Sequence, residues 1–368
     1  MELRLEGGQV LDEGSLQKVR VRRRIDPLSG KMQPEYMDVQ LKTGEDLQPA
    51  TDQQNHATLW VEGAPFITQV ITRCDRQEDL YQLRCRNDTD FLKLEYYGGL
   101  FENESLGGIL DEMLLDRDRF NLDYEAGPVT GHIPICTRGQ ALEMIAFAQG
   151  GYLHMTRDNL LDVQKLQRQN PIHIPAGRII TPPQLQMLPG YSRVELAAHS
   201  YELAKNWVLM FSGREYSLQQ QTVKFTEPVK EFTFSVATVI DSSVNHVTFM
   251  PDVEREELRV LPYLHRRDWH SYSRPNAGNN TRILSVRDNT LINPQNAQSV
   301  LEHLKDLALL RQQLQLMIHV DGEDVGQYVT VDTPWGVTYS GFITKMDSTL
   351  TPYGHTALIT VLASVQEE

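Results

Sequence analysis

A histidine and a cysteine stand four residues apart in GHIPICTRGQALEMIAFAQGGYL, residues 131–153. A cysteine can act as a nucleophile when the pKa of its thiol is lowered and a histidine base lies within hydrogen-bonding distance. His132 and Cys136 supply both residue types, but the Ile-Pro-Ile between them favours a buried strand end that leads into a helix. We therefore interpret Cys136 as a small, inert core residue.

The segment HRRDWH brings His265, Asp268 and His270 together in sequence. Such a group could bind a metal ion or transfer protons. However, the two histidines are not at the i, i+4 spacing of helical zinc sites, and no further ligand pair follows. We interpret the segment as a surface loop.

Four carboxylates that could form a glycoside-cleaving pair cluster near the end of a predicted helix: Asp111, Glu112, Asp116 and Asp118. Such enzymes use two carboxyl groups, one on each side of the scissile bond. Here Arg117 and Arg119 alternate with the acids beside an amphipathic helix, which favours a solvated, ion-paired surface.

Four basic residues occur in one predicted strand: Arg20, Arg22, Arg23 and Arg24. They predict a basic strand edge in a chain of opposite overall charge. A paired strand or an interface strand is the favoured interpretation, and nucleic-acid recognition is the lesser alternative.

The sequence contains no G-x-S-x-G, H-E-x-x-H, Walker or G-x-G-x-x-G motif. We therefore predict no catalytic, cofactor-binding or metal-binding residue and no cofactor, and we do not expect an enzyme.

The 368 residues suffice for two to four domains, and the composition, 40% hydrophobic and 23% charged, indicates a folded protein. The net charge of −14 argues against nonspecific nucleic-acid binding, which needs a basic surface. We find neither a signal peptide nor a membrane span. The odd cysteine count, three, fits a reducing compartment without a disulfide framework.

Residues 1–92 read mostly as β structure. KVRVRRRI alternates apolar and basic residues, as a half-buried strand does. Three more strands follow, with turns at Glu62-Gly63 and near Gln77. That hairpin would put Cys85 about 17 Å from Cys74, too far for a disulfide.

Residues 93–172 predict a small α/β module. Ser105 is expected to cap a helix that runs from Leu106 to about Asp116. Its apolar face would comprise Leu106, Ile109, Leu110, Met113 and Leu114. Thr137 and Gln140 form a capping box for a second helix, which Gly150-Gly151 ends. A hairpin is expected around Arg157-Asp158.

Residues 173–292 return to β structure, with a turn at 241–243 and a polar loop at 269–280. Asn293 is the predicted N-cap of a helix whose first residue is Pro294. After Gln313 the apolar residues recur at every second position, which predicts strands to the end of the chain.

Two segments share residues and order: TGEDL…GAPFITQV at 43–70 and DGEDV…SGFITKM at 321–346. The offset is 278 residues at Gly44 and Gly322, and 276 at Phe66 and Phe342. Two copies of one small β domain would explain the match. We then expect both phenylalanines to occupy equivalent, buried positions.

Four segments together resemble bacteriophage tail hub proteins: YYGGLFENESLGGILDEML, GHIPICTRGQALEMIAFAQGGYL, NPQNAQSVLEHLKDLALLRQQLQLMIHV and VTVDTPWGVTYSGFITKMDSTLT. This group includes the hubs of phage-derived contractile particles and the structural N-terminal part of tail-tip proteins. The resemblance runs from about Thr58 to the end. Gly139 occupies a position that is charged in typical relatives.

The resemblance implies a homotrimer that forms a ring of pseudo-sixfold symmetry between the tail tube and the spike or tip. The implied fold class of the chain is mixed α/β, β-rich (α+β), with two similar β-barrel-like tube domains. We expect a first tube domain at 1–92 and a small peripheral α/β module at 93–172. Residues 173–292 are expected to be a β-rich region that contributes to the second tube domain and to a peripheral part, and 293–368 a helix with strands that complete the second tube domain.

The implied partners are the tail tube protein, the spike or tip protein and other baseplate proteins. DNA would pass through the ring without specific binding, past acidic groups, and the chain would not insert into a membrane. The expected location is the virion tail, after assembly in the bacterial cytoplasm. The alternatives are a cell-wall-degrading enzyme with its cleft in 93–172, and a cell-wall-binding module.

Overall fold

The structure is a computed structural model that describes residues 1–6, 8–44, 47, 55–113, 115–121, 127–216, 218–274 and 281–365. Over these residues there are 27 strands and three α-helices. The expected β-rich α+β class is confirmed. Within the described residues, no helix combines the length and the apolar character that crossing a bilayer requires.

The N-terminal part forms seven strands: β1 (Glu2–Leu5), β2 (Val10–Leu11), β3 (Leu16–Arg24), β4 (Tyr36–Lys42), β5 (His56–Val61), β6 (Ala64–Gln77) and β7 (Leu80–Arg86). Both predicted hairpin turns are present. Glu62 and Gly63 have φ of 52° and 81°, the left-handed pair that a tight two-residue hairpin requires. Glu78 and Asp79 connect β6 to β7.

Cys74 and Cys85 are free thiols, as predicted, but the predicted register is wrong. Cys85 lies opposite Ile71, and a bulge between Ile71 and Arg73 leaves Cys74 opposite Leu83. The two cysteines are therefore two positions apart on neighbouring strands, much closer than the expected separation of about 17 Å. The error comes from the position of the turn: Gln77 pairs with Leu80 across a turn at Glu78-Asp79, which shifts the register by three residues relative to a turn centred on Gln77, and the bulge moves Cys85 back by one.

Six short strands and two helices follow: β8 (Glu95–Tyr96), β9 (Gly99–Glu104), α1 (Leu106–Glu112), β10 (Val129–Ile133), β11 (Cys136–Thr137), α2 (Arg138–Ala148), β12 (Tyr152–Met155) and β13 (Leu161–Gln164). The strands form three antiparallel pairs, β9 with β10, β8 with β11, and β12 with β13. The last pair is the hairpin predicted around Arg157-Asp158.

The helix caps confirm the sequence analysis. Ser105 Oγ accepts a hydrogen bond from the Gly108 N–H at 3.0 Å. In the capping box, Thr137 Oγ1 accepts from the Gln140 N–H, and Gln140 Oε1 accepts from the Thr137 N–H. Helix α1 is shorter than predicted, because the Leu115 N–H turns back to the Leu110 carbonyl. Of the predicted apolar face, Leu114 lies outside the described residues.

Ten further strands precede the last helix: β14 (Ile172–Ile174), β15 (Gln184–Met187), β16 (Arg193–Leu203), β17 (Val208–Glu215), β18 (Gln221–Lys224), β19 (Val229–Phe234), β20 (Thr238–Ser243), β21 (His246–Met250), β22 (Arg255–Ser273) and β23 (Ile283–Val286). β16, β17, β19, β22 and β23 share one sheet, and β18, β20 and β21 another.

Two turn predictions in this region are wrong. The predicted turn at 241–243 lies at Val244 and Asn245. Residues 269–273 of the predicted loop continue β22, because they pair with the start of β16 across a full antiparallel ladder. Tertiary pairing thus overrides the polar composition of the segment. Residues 275–280 of that loop lie outside the described residues.

Helix α3 (Ala297–Leu309) starts one turn later than predicted. Asn293 does act as a cap, since its Oδ1 accepts from the N–H groups of Gln295 and Asn296. It caps a turn that leads into the helix. The predicted alternating strands are confirmed as β24 (Gln312–His319), β25 (Tyr328–Asp332), β26 (Thr338–Thr351) and β27 (Gly354–Val365).

Strands from both ends of the chain form one 13-stranded sheet, in the order β15-β24-β27-β26-β3-β4-β7-β6-β5-β1-β2, with β25 and β14 attached beside β26. The junction is the antiparallel pairing of β26 with β3, from Lys345 opposite Arg24 to Leu350 opposite Val19. The two ends of the chain are therefore joined by backbone hydrogen bonds.

The two segments noted as a repeat have the same topology. β4, β5, β6 and β7 are arranged as β4-β7-β6-β5, and β24, β25, β26 and β27 as β24-β27-β26-β25, all antiparallel. Phe342 is buried, with 2% exposure, but Phe66 is only half-buried against Arg157 and His355. The expectation of two buried phenylalanines is therefore wrong for Phe66.

The two four-stranded units lie over separate hydrophobic cores. One hydrophobic core lies under β1–β7, and a second under β24–β27. A third core joins α1, α2 and β16 with α3, which contributes Ala297, Val300, Leu301 and Leu304. Helix α3 thus packs mainly with α1, α2 and β16, although it is adjacent in sequence to β24.

Candidate functional site

The junction between the two four-stranded units contains a buried ionic network centred on Arg23. Its Nε donates to Glu35 at 3.1 Å, and its guanidinium also contacts Asp324 and the Met155 carbonyl. Arg157 Nε donates to Asp324 at 2.8 Å. The network therefore links β3, the loop after β24 and the β12–β13 hairpin.

The network contains two arginines and two carboxylates, so its positive and negative charges can balance. Burial raises the pKa of Glu35, against the opposing field of Arg23. Burial acts in the same direction on Asp324, but Arg23 and Arg157 outweigh it and hold the pKa of that carboxyl below its usual value. For Arg23, burial opposes the charge, yet Glu35 and Asp324 raise its pKa. The guanidinium stays charged and fixes three chain segments around it.

The four arginines predicted as a basic strand edge divide between two faces. Arg23 points into the core, whereas Arg20, Arg22 and Arg24 are exposed on the other face of the sheet. The edge prediction is wrong, since β3 is paired on both sides, by β4 and by β26. Of the two interpretations, the paired strand is confirmed. Alternation along β3 explains why neighbouring arginines have opposite environments.

The exposed face of this sheet contains a cleft of about 500 Å³. It is lined by Lys18, Arg20, Arg22, Tyr36, Asp38, Gln40, Thr72, Gln82, Arg84, Cys85 and Arg86. Five of these eleven residues are basic and one, Asp38, is acidic. Such a surface can bind an anion by charge and hydrogen bonding, but it offers no nucleophile with a paired base.

The structure does not assemble His132 and Cys136 into a catalytic pair. His132 is buried in β10, with Nε2 2.6 Å from Asn245 Oδ1, and its ring lies edge-on to Tyr201. Burial lowers the pKa of His132 and raises that of the Cys136 thiol to about 11. A reactive cysteine needs a lowered pKa, so this thiol is in the wrong environment.

We expect Cys136→Ala to reduce the free energy of unfolding by about 1–2 kcal/mol and to leave unchanged the particle assembly that the resemblance implies, because the thiol only fills space beside α2. Chemical denaturation and electron microscopy of assembled particles would measure the two effects. A folded variant that no longer assembles would contradict this interpretation.

His265, Asp268 and His270 lie on β22 and not in a loop, so that interpretation is wrong. His265 instead hydrogen-bonds to His199 on β16 at 2.7 Å and to Glu227 at 3.0 Å, and stacks on Tyr201. No group of three metal-ligating side chains suited to an ion occurs among the described residues. Local patterns did not indicate His199 or Glu227, because their contacts with His265 depend on the pairing of β16 and of β19 with β22.

The carboxylates near α1 remain a surface feature. Asp111, Glu112, Asp116 and Asp118 are exposed. Glu112 accepts a hydrogen bond from the Tyr96 hydroxyl, and Asp116 accepts one from the Asp118 N–H within a local turn. Arg119 pairs with Asp88, outside this cluster, at 2.9 Å. These contacts stabilise local surface structure and do not form a cleft for a sugar ring.

The chain matches no family model and no curated protein by sequence. Among solved structures it is similar to the 43 kDa tail protein of prophage MuSo2 from Shewanella oneidensis, with a TM-score of 0.58 and 13% identity over 98% of each chain. A tail protein from Neisseria meningitidis MC58 is also similar, with a TM-score of 0.56 and 11% identity over 98% of this chain and 95% of that one.

Prophage tail protein gp18 from Listeria monocytogenes EGD-e gives a TM-score of 0.54 and 9% identity, over 98% of this chain and 94% of that one. All three similarities run over nearly the whole length of both chains, so they include the continuous sheet and the peripheral elements together. This chain therefore has the fold of these three tail proteins.

Proposed function

We propose that this chain is a structural, nonenzymatic hub subunit of a phage or phage-like tail baseplate. In this proposal three copies form a ring of pseudo-sixfold symmetry that joins the tail tube to the spike or tip. The observation that carries it is the repeated order of four strands within one continuous sheet. Three chains with two such units each would present six similar units to a sixfold tube.

The ring requires contacts between sheet edges of neighbouring copies. β15 forms one end of the sheet, and all four of its residues are exposed. Leu185 and Met187 are 43% and 57% exposed on this strand. An exposed apolar edge strand is a site for pairing with another chain. We assign β15 to the subunit interface of the ring.

The four predicted domains acquire roles in this proposal. Residues 1–92, the strands of 293–368 and β15 would form the inner wall. Residues 93–172 and the rest of 173–292 would form the outer decoration that contacts other baseplate proteins. DNA would pass through the centre, and the protein would be located in the virion tail after assembly in the host cytoplasm. Fold similarity to prophage tail proteins supports the general assignment.

We expect the purified protein to give a species of about 126 kDa, three times its 42.1 kDa chain. Replacing Leu185 and Met187 together by glutamate should reduce the trimer to monomer, because charges would face the neighbouring edge. Mass photometry measures this, with Val239→Glu and Ile240→Glu on the exposed part of β20 as the matched control pair.

Immunogold electron microscopy of particles from a producing culture tests the location. Label at one end of tail-like particles is expected. Unlabelled tails, or label on cell wall together with turnover of purified peptidoglycan, would overturn the hub proposal in favour of a wall enzyme. A wild-type protein that stays monomeric on tail particles would overturn only the trimer.

A further inference from the structure

The exposed face of the continuous sheet carries a basic surface at β3, β4 and β7. It is formed by Lys18, Arg20, Arg22, Arg24, Arg84 and Arg86. Cross-strand pairing sets its geometry: Arg20, Asp38 and Arg84 lie in one row across β3, β4 and β7. Alternate residues of β3 recur about every 6.8 Å on the same face. Successive rows therefore place several cations within one patch.

Most of this charge is not neutralised. Arg22 pairs with Asp38 at 3.3 Å, and Arg86 with Asp90 at 2.8 Å. Over the described part of the chain, Lys18, Arg20, Arg24 and Arg84 form no ion pair. The sign of this face is opposite to the net charge of the chain, which is −14.

The chemistry of the face favours phosphate over a protein surface. Its side chains are mainly Arg, Lys, Gln and Thr, which contact phosphates in protein–DNA complexes. The centres of stable protein interfaces are depleted of charged residues, whereas five cations line this cleft. Duplex DNA carries one phosphate charge per 3.4 Å of helix axis on each strand, so a patch of several cations can contact more than one phosphate at a time.

We infer that the basic surface binds the phosphate backbone of double-stranded DNA, without reading its sequence. This goes beyond the hub proposal, and it reverses two expectations from net charge: that the chain would not bind nucleic acid, and that acidic groups would face passing DNA. Contacts of this kind are weak individually and depend on salt, so they allow a duplex to slide.

Fluorescence anisotropy with a labelled 30-base-pair duplex of random sequence tests the inference. With four unpaired cations, log K should fall against log salt with a slope of about −3.6. Arg20→Gln with Arg84→Gln should reduce the slope by about 2, and weaken binding roughly 100-fold in 50 mM salt, because each lost contact removes about 0.9 log units per decade of salt.

The matched control is Arg259→Gln with Arg266→Gln, which removes the same charge from β22, where both side chains are exposed. Its binding should equal that of the wild type, and thermal unfolding should confirm that both variants are folded. No binding in 50 mM salt, or equal weakening by both pairs, would overturn the inference. Binding of a polyglutamate peptide as tight as that of DNA, and lost in the same variant, would assign the surface to an acidic polypeptide instead. Because the assay needs no ring, it can fail or succeed independently of the trimer.

Discussion

Arg23→Met is expected to lower the free energy of unfolding by about 3–5 kcal/mol, the cost of breaking a buried ion pair from one side. The substitution removes the only cation that contacts both Glu35 and Asp324 within the described network. Glu35 would remain buried beside Asn87 without its charge partner. Asp324 would retain Arg157. Urea denaturation at fixed protein concentration measures the loss.

Arg22→Met is the control, since Arg22 is exposed on the same strand and its pair with Asp38 lies at the surface. We expect that change to cost less than about 1 kcal/mol. The double variant Arg23→Met, Glu35→Gln should recover part of the loss, because it also removes the stranded charge. An Arg23→Met variant as stable as the Arg22→Met control would refute the structural role of the network.

Gly98→Ala is expected to destabilise the protein by about 2–5 kcal/mol, for two reasons that add. Gly98 has φ +68°, where a side chain is strained, and a Cβ there would lie 2.0 Å from the Ile133 carbonyl oxygen. The obstacle is backbone, and Asn245 Nδ2 holds it by donating to the Ile133 and Tyr97 carbonyls at 2.9 and 2.7 Å. Neighbouring atoms can therefore relieve the clash only by breaking those bonds.

Gly63→Ala separates the two reasons. Gly63 has φ +81°, and a Cβ there would meet nothing within 4 Å. The Gly63→Ala variant should therefore lose only about 1 kcal/mol of its free energy of unfolding, because only the backbone conformation is strained. Denaturation of both variants gives the comparison, and equal losses would show that the contact with Ile133 has no energetic weight.

Local patterns in the sequence predicted local structure well. The capping box of Thr137 and Gln140, the turn at Glu62-Gly63 and the alternation along β3 depend on residues within a few positions of each other, and all three are present. The repeat also predicted a real equivalence of topology, although the burial of Phe66 did not follow. Phe66 packs against His355 from the other unit, a contact that no repeat specifies.

Features that depend on distant pairing were missed. Nothing near Arg23 distinguishes it from Arg22 except the strand phase, and its partner Asp324 is 301 residues away. The extended β22 and the contact of His265 with His199 depend on a ladder between strands that are far apart in sequence. The basic residues of β3 were visible in the sequence, but Arg84 and Arg86 were not expected on the same face, because that depends on the pairing of β3 with β4 and of β4 with β7.

The pairing of β3 with β26 has a consequence for synthesis. Residue 24 leaves the ribosome 321 positions before its partner, Lys345. At 5–20 residues per second, that is a wait of about 15–60 s. During this time β3 has an unpaired edge, and its exposed arginines would repel the same strand in other nascent chains. The residues that carry the charge of the finished surface would thus first act as protection against premature association, and the complete sheet could close only after the C-terminal strands had been made.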